Sequence, residues 1–242
     1  MGWVIAAVVI IIIAALAWVA TRPLKIPREH TREGPQKGEA VTAYDRTSRW
    51  PIFSMERSVV MNALRKEKME GTLVDIGSGA GYLAAQIKRH HPTLKVVGLD
   101  ISAEMITVSK SNWADSDIEF TVGDAQKMPF PENSIDVAVS SLSLHHWADA
   151  AQVFREIKRV LKPGGRFIIM DLRRDGWQGI FWVFKLGQRL FAPHAIKETN
   201  GAVGSFWSAY TASELEKMIA PAGFARWGVK KAPAWMVGWG QK

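Results

Sequence analysis

Val74–Gly81 reads VDIGSGAG, the end of an apolar run passing into a glycine-rich turn. An apolar run, Thr72–Ile76, leads into Gly77, Gly79 and Gly81, and a helical pattern follows through Ala84–His90. Strand, tight turn and helix are the expected elements. Glycines let the backbone turn sharply and let a ligand approach the main chain. The helix N-terminus behind them offers free N–H groups and a partial positive charge. The spacing is G-x-G-x-G, one residue short of the dinucleotide fingerprint G-x-G-x-x-G. Alone, such a loop is shared by several nucleotide-type sites.

On either side of this loop, strands and helices alternate. Lys95–Leu99, Ile118–Val122, Ile135–Ser140 and Arg166–Met170 read as strands, and Ala103–Trp113 and Ala148–Leu161 as helices. Upstream, Phe53, Met55, Val59, Val60, Met61 and Leu64 recur at helical spacing within Pro51–Glu70. Downstream, TASE (Thr211–Glu214) is a capping box opening a helix Ala212–Ala220. The last apolar runs, Arg226–Lys231 and Trp235–Trp239, suit an antiparallel pair. Apolar, β-branched strands separated by helices predict an α/β fold with a parallel sheet covered on both faces.

The chemistry concentrates at strand ends. Asp100 closes VVGLD, nineteen residues past Gly81, where a carboxylate can accept both hydroxyls of a ribose. Ser102 is the better helix cap there, which leaves Asp100 for a ligand. Asp124, in GDAQKMPF, can accept from an adenine amino group. Three such loops in register converge on the crevice where open α/β sheets bind ligands.

The runs VDIGSGAGYLA, VVGLDISAEM, FTVGDAQKMPFPENSIDVAVSSLSLHHW and REIKRVLKPGGRFIIMDL cover about 100 of 242 residues in order. With them the chain resembles the class I S-adenosylmethionine-dependent methyltransferases, in the branch that includes the ubiquinone/menaquinone methyltransferases. The resemblance implies a Rossmann-like, doubly wound, mostly parallel seven-stranded sheet with an antiparallel last strand. It implies S-adenosyl-L-methionine as cofactor. Asp75, Gly77, Ser78, Gly79 and Gly81 would hold the methionine end. Asp100 would bind the ribose, Ile101 would pack on adenine, and Asp124, with Ala125 beside it, would take the adenine amino group. Ser140 and Ser141 would face the methyl group and acceptor. Tyr44 and Asp45 resemble a family element that folds over the cofactor. His145 and His146 are the candidate bases, histidine being the side chain suited to proton exchange near neutral pH. No motif of a metal-dependent O-methyltransferase is present. Two other readings compete: a nicotinamide-dependent oxidoreductase, disfavoured by the glycine spacing, and a non-catalytic scaffold on the same fold, disfavoured by intact Asp75, Asp100 and Asp124.

Composition bounds the rest. There are no cysteines, which excludes disulfide frameworks, Cys-ligated zinc and cysteine nucleophiles. Gly2–Ala20 carries no charge, has Trp3 and Trp18 near its ends, and is followed by Arg22, Lys25, Arg28 and Arg32. This predicts a transmembrane anchor over residues 1–20, a basic linker over 21–43 and a catalytic domain over 44–242, with the protein a single-pass membrane protein whose domain is cytoplasmic. The formal charge of +8 shows no basic cluster interleaved with aromatics, so no nucleic-acid partner is expected. Residues 177–210 are expected as a substrate lid, with Trp177, Phe181, Phe184 and Phe191 on one helical face and Lys185 and Arg189 on another. Anchor and lid together suggest a small lipophilic acceptor: a quinone precursor, lipid, phenol or thiol.

Overall fold

A computed structural model describes residues 2–29, 38–65, 69–192, 194 and 201–242. Its strands are β1 (Thr72–Ile76), β2 (Lys95–Asp100), β3 (Ile118–Val122), β4 (Ile135–Ser141), β5 (Leu161–Leu172), β6 (Arg226–Lys231) and β7 (Trp235–Gln241). They form one seven-stranded sheet in the order β3-β2-β1-β4-β5-β7-β6. The first five run parallel, while β7 lies antiparallel between β5 and β6.

The nine helices among the described residues are α1 (Gly2–Ala20), α2 (Glu39–Ser48), α3 (Pro51–Leu64), α4 (Tyr82–His90), α5 (Ala103–Asn112), α6 (Ala150–Val160), α7 (Gln178–Phe191), α8 (Gly201–Ser208) and α9 (Ala212–Ile219). The two-residue period of the strands sorts the core into two layers. Leu73, Val96, Val137, Val139, Ile168 and Met170 pack with Val60, Met61 and Leu64 of α3 and with α4 and α5. Val74, Ile76, Ala138, Phe167 and Ile169 face the other way, onto Val153, Phe154 and Ile157 of α6 and Leu215 of α9. A smaller cluster joins Leu172, Phe181 of α7 and Phe206 of α8.

Differences from the sequence-based bounds are local. β5 begins at Leu161 rather than Arg166, because Leu161 already pairs with Ile135 before a register shift between Ile135 and Val137. The Asp149 side chain accepts from Gln152 N, so α6 starts one turn's edge later than its apolar pattern suggests. The expected capping box is present: Thr211 N donates to Glu214 (2.7 Å) and Glu214 N to Thr211 Oγ1 (3.2 Å). Thr211→Ala should cost about 1 kcal/mol. A thermal melt should show it as a fall in Tm of roughly 2–4 °C.

The expected transmembrane anchor, and with it the single-pass membrane placement, is corrected. Among the described residues no helix is long and apolar enough to cross a membrane. Helix α1 has 19 residues, about 28 Å at ~1.5 Å per residue, at the short edge of a span. Its C-terminal end is held by the domain instead of leading into a free linker. The backbone of Gly179 lies against Ala20. Leu24 N donates to Gly176 O (2.7 Å), Gln178 N to Arg22 O (2.9 Å) and Glu29 N to Trp207 O (3.0 Å). Arg28 stacks over the Tyr210 ring at 3.8 Å.

The aromatic face expected for residues 177–191 is only partly buried. Phe181 is buried and Phe184 packs beside it. Trp177 and Phe191 stay exposed, together with Trp182, Val183, Leu186 and Leu190. Helix α8 packs against the turn Leu144–His146.

Candidate active site

Strand β1 pairs with β2 on one side and β4 on the other. The loops after these strands therefore diverge and leave a crevice at their carboxyl ends, the usual ligand position in such sheets. Two adjoining cavities fill it. The first is lined by Gly77, Gly79, Asp100, Ile101, Asp124, Ala125, Leu142, Ser143, His146 and Trp147. The second is lined by Glu56, Arg57, Asp75, Ser78, Tyr82 and Ser141. Tyr44, Gly77, Gly79 and Leu142 belong to both walls.

The glycine loop is tied to β2. Gly77 N and Ser78 N donate to Leu99 O at 2.8 and 3.0 Å, and Gly79 N donates to Asp100 Oδ2 at 2.8 Å. Gly77 has φ +69°, and a Cβ there would lie 2.0 Å from Ser143 Oγ. Only glycine keeps that gap open between β1 and the turn after β4.

Asp100 Oδ1 accepts from Ser102 N at 2.9 Å, and Ser102 caps α5, as the sequence suggests. Burial pushes the Asp100 carboxyl up, opposed by these backbone bonds. Each of its oxygens keeps a further lone pair for a ribose hydroxyl. Asp124 Oδ1 accepts from Gln126 N at 2.8 Å and sits at the far end of the first cavity, with Ala125 beside it. Ile101 is half exposed on the cavity wall, free to cover a planar base.

The methionine-end residues divide. Asp75 and Ser78 line the second cavity, and Asp75 Oδ2 and Ser78 Oγ are buried with no hydrogen-bond partner among the described residues. Burial raises the Asp75 carboxyl to about 7, against a backbone hydrogen bond from Ala84. Ser141 lines the same cavity. Ser140 is fully buried and lines neither. Gly81 also lies off both walls; it is the residue before α4, at φ +83°.

Tyr44 stands between the cavities. Burial raises its hydroxyl to about 12, helped by Asp100 and Glu56. Asp45 works differently: it accepts from Tyr82 OH (2.9 Å), Asn112 Nδ2 (2.8 Å) and Arg49 (2.9 Å). It is a latch that fastens α2 to α4 and α5, so that Tyr44 reaches the crevice.

The two histidines separate as well. His146 lines the first cavity. Burial, and then His145, holds its imidazole well below the usual histidine range, so it is neutral at pH 7. Its Nδ1 has no hydrogen-bond partner among the described residues. His145 lines neither cavity. Its Nδ1 donates to Asp171 of β5 at 2.8 and 3.0 Å, and its ring lies 4.0 Å from that of His146.

Unpartnered buried acceptors at one end, a carboxylate with spare lone pairs in the middle and a second carboxylate at the far end suit an amino acid, a ribose and an adenine in that order. Comparison with known proteins agrees. Residues 74–169 match the methyltransferase domain family. The chain is 32% identical over 181 residues to a ubiquinone/menaquinone biosynthesis C-methyltransferase of Desulfotalea psychrophila, covering 71% of this chain and 74% of that protein. This chain belongs to the class I S-adenosylmethionine-dependent methyltransferases. A second such C-methyltransferase, of Pseudomonas putida, is 35% identical over 189 residues, 73% of this chain and 71% of that one. A demethylmenaquinone methyltransferase of Thermotoga maritima matches over 132 residues at 34%, only 56% of its length. In fold, phosphoethanolamine N-methyltransferase 2 of Haemonchus contortus, solved with S-adenosyl-L-methionine, superposes with a TM-score of 0.63 at 17% identity, covering 84% of this chain and 56% of that one. S-adenosyl-L-methionine is thus the cofactor of this methyltransferase.

Sequence reasoning missed Glu56, Arg57, Leu142, Ser143 and Trp147. The first two carried a signal, because they continue the buried stripe Val60, Met61, Leu64 of α3 upstream at helical spacing. Met55, which the apolar pattern assigned inward, is exposed.

Proposed function

We propose that this methyltransferase transfers its methyl group to carbon on a lipophilic aromatic acceptor, a quinone precursor. The observation that carries the reading is the wall beyond the ribose carboxylate. There Leu142, Trp147 and Val153 supply apolar surface, with the neutral imidazole of His146 and the polar side chains of Ser143 and Gln126 among them. Such a surface favours a flat, largely apolar ring with few polar groups. The ubiquinone/menaquinone C-methyltransferase relatives support the same choice.

S-adenosyl-L-methionine supplies a methyl group already activated on a sulfonium. The chain's work is then positioning: Tyr44 and Leu142 close the crevice, and Asp100 and Asp124 fix the nucleoside. Holding reactants in near-attack geometry supplies most of the rate in such a transfer. Methylation at carbon also requires loss of the ring proton, and His146 Nδ1 is the proposed acceptor for it. His145, tied to Asp171, holds the neighbouring ring in place.

His146→Ala should lower kcat by about 10²-fold, the low end for a positioned base, with S-adenosylhomocysteine affinity within about threefold. Isothermal calorimetry and single-turnover transfer measure the two; equal losses in both would make His146 part of the cofactor site instead. The acceptor class is tested with radiolabelled S-adenosylmethionine offered a prenylated demethylated hydroquinone, a lipid extract, and water-soluble phenols and thiols. Label confined to the water-soluble set overturns the reading.

A further inference from the structure

Among the described residues, two that are not glycine have a positive φ, Asn133 and Leu142, both at +56°. Asn133 sits in an exposed turn, where asparagine takes the left-handed region readily. A leucine does not, because its Cβ is forced against the following carbonyl oxygen. Such strain persists only where the surroundings over-determine it, and it gathers at functional sites. Leu142 is held in this way from both sides. Its N–H donates to Met170 O of β5 at 2.9 Å. The next residue, Ser143, is fixed through its Oγ by Trp147 Nε1 at 2.9 Å and lies so close to Gly77 that no Cβ fits between them. Relaxing Leu142 to a negative φ would disturb one of these ties.

The side chain held there stands at a junction. Leu142 lines both cavities. It also packs against the cluster of Leu172, Phe181 and Phe206, with Phe184 beside them. No other described residue does both. Phe206 meets Phe181 and Phe184 edge to face, with ring centroids 5.8 and 5.5 Å apart. One aliphatic side chain thus separates the crevice from an aromatic layer that would receive a further flat ring.

We propose that Leu142 determines the size of the acceptor. Its left-handed backbone holds the isobutyl group as a partition, which limits the reacting end of the acceptor to a single ring and excludes a fused two-ring one. This rests on the aromatic-acceptor reading above and narrows it to one-ring acceptors. The partition is sufficient in size. One methylene more or less in an apolar pocket changes kcat/KM by about 10–200-fold, and a second fused ring needs more room than that. The strain explains why the partition stays shut: the isobutyl group cannot swing aside by a rotation about φ while Met170 and Ser143 hold the backbone.

The test measures transfer from radiolabelled S-adenosylmethionine by the whole chain and by Leu142→Met, Leu142→Ala and Leu142→Gly. Two acceptor pairs are offered: a demethylated benzohydroquinol against a demethylated naphthohydroquinol, and phenol against 2-naphthol. The wild type should favour the one-ring member, and Leu142→Met, which keeps the volume, should follow it. Alanine and glycine should raise the two-ring to one-ring ratio of kcat/KM by about tenfold or more. Calorimetry should find S-adenosylhomocysteine affinity within about fivefold in every variant. Thermal melts read the strain separately: glycine takes a positive φ freely, so Leu142→Gly should melt roughly 2–4 °C above Leu142→Ala. An unchanged ratio in both small variants overturns the inference. So does a wild-type preference for two rings, a loss of cofactor affinity that matches the loss of turnover, or a glycine variant that melts no higher than alanine. A wild type that methylates the phenols and neither hydroquinol overturns the quinone reading instead, and the phenol pair then decides for Leu142. If none of the four is methylated, the aromatic-acceptor reading and this inference fall together.

Discussion

Asp100→Ala should weaken S-adenosylhomocysteine binding by about 10²–10⁴-fold, the loss of two charge-assisted bonds of ~1.5–3 kcal/mol each. The carboxylate lies in the middle of the crevice and is held from behind by Gly79 N and Ser102 N. It is thus oriented before any ligand arrives, and little ordering entropy is left to lose on binding. The same substitution also removes the acceptor that pins Gly79. The glycine loop then loses one of its ties to β2, which adds to the loss at the methionine end. Asp100→Asn separates the contributions: it keeps an acceptor oxygen and loses the charge, so its deficit should fall between wild type and alanine. Calorimetry decides. An alanine variant within about fivefold of wild type would remove Asp100 from the ribose site, and an asparagine variant as weak as alanine would make charge, not geometry, the whole effect.

What made the place of Asp100 on the cavity wall legible is that its information is local. A strand that ends in a carboxylate, followed by a serine able to cap the next helix, frees the acid for a ligand, and both halves of that statement lie within three residues. Asp124 and the glycine loop are readable for the same reason, and so are the seven strands, whose apolar runs carry their own period. Glu56 and Arg57 are not local in this sense. Their place on the cavity wall comes from the phase of α3, where they fall in line with the buried Val60, Met61 and Leu64 and Met55 stays outside. Hydrophobicity alone reads that helix with Met55 inward and the charged pair outward. The N-terminal stretch fails for a related reason. An uncharged run followed by basic residues reads as anchor and linker, whereas the structure pairs residues 22–24 with residues 176–178. Nothing near Arg22 announces a partner so far along the chain. Likewise, the paired histidines look equivalent in sequence, and only the partner on β5 distinguishes them.

That partner makes the second large prediction. Asp171 is buried to 1% exposure, and its carboxylate accepts from three donors: His145 N at 2.9 Å, His145 Nδ1 at 2.8 Å and Leu172 N at 2.6 Å. His145 is buried beside it and has no other acceptor for that N–H among the described residues. Removing the carboxylate leaves these buried N–H donors desolvated and unpaired, at ~1–3 kcal/mol each and about 3–5 kcal/mol together. For a chain of this size each kcal/mol moves Tm by roughly 2–4 °C, so Asp171→Ala should melt about 6–20 °C below wild type. The position of the pair says where the damage spreads. Asp171 lies on β5 where it pairs with Met236 of β7, and His145 lies in the turn that carries His146 to the cavity wall. Loosening the turn therefore costs catalysis through His146 even in protein that is still folded. Asp171→Asn offers the acceptor oxygen to Nδ1–H and keeps the shape, so it should recover most of the stability. If Asp171→Asn also recovers turnover, the pair acts only by holding the turn. If stability returns while turnover stays low, the charge of Asp171 acts on the imidazole pair, and His145 joins His146 in handling the acceptor's proton.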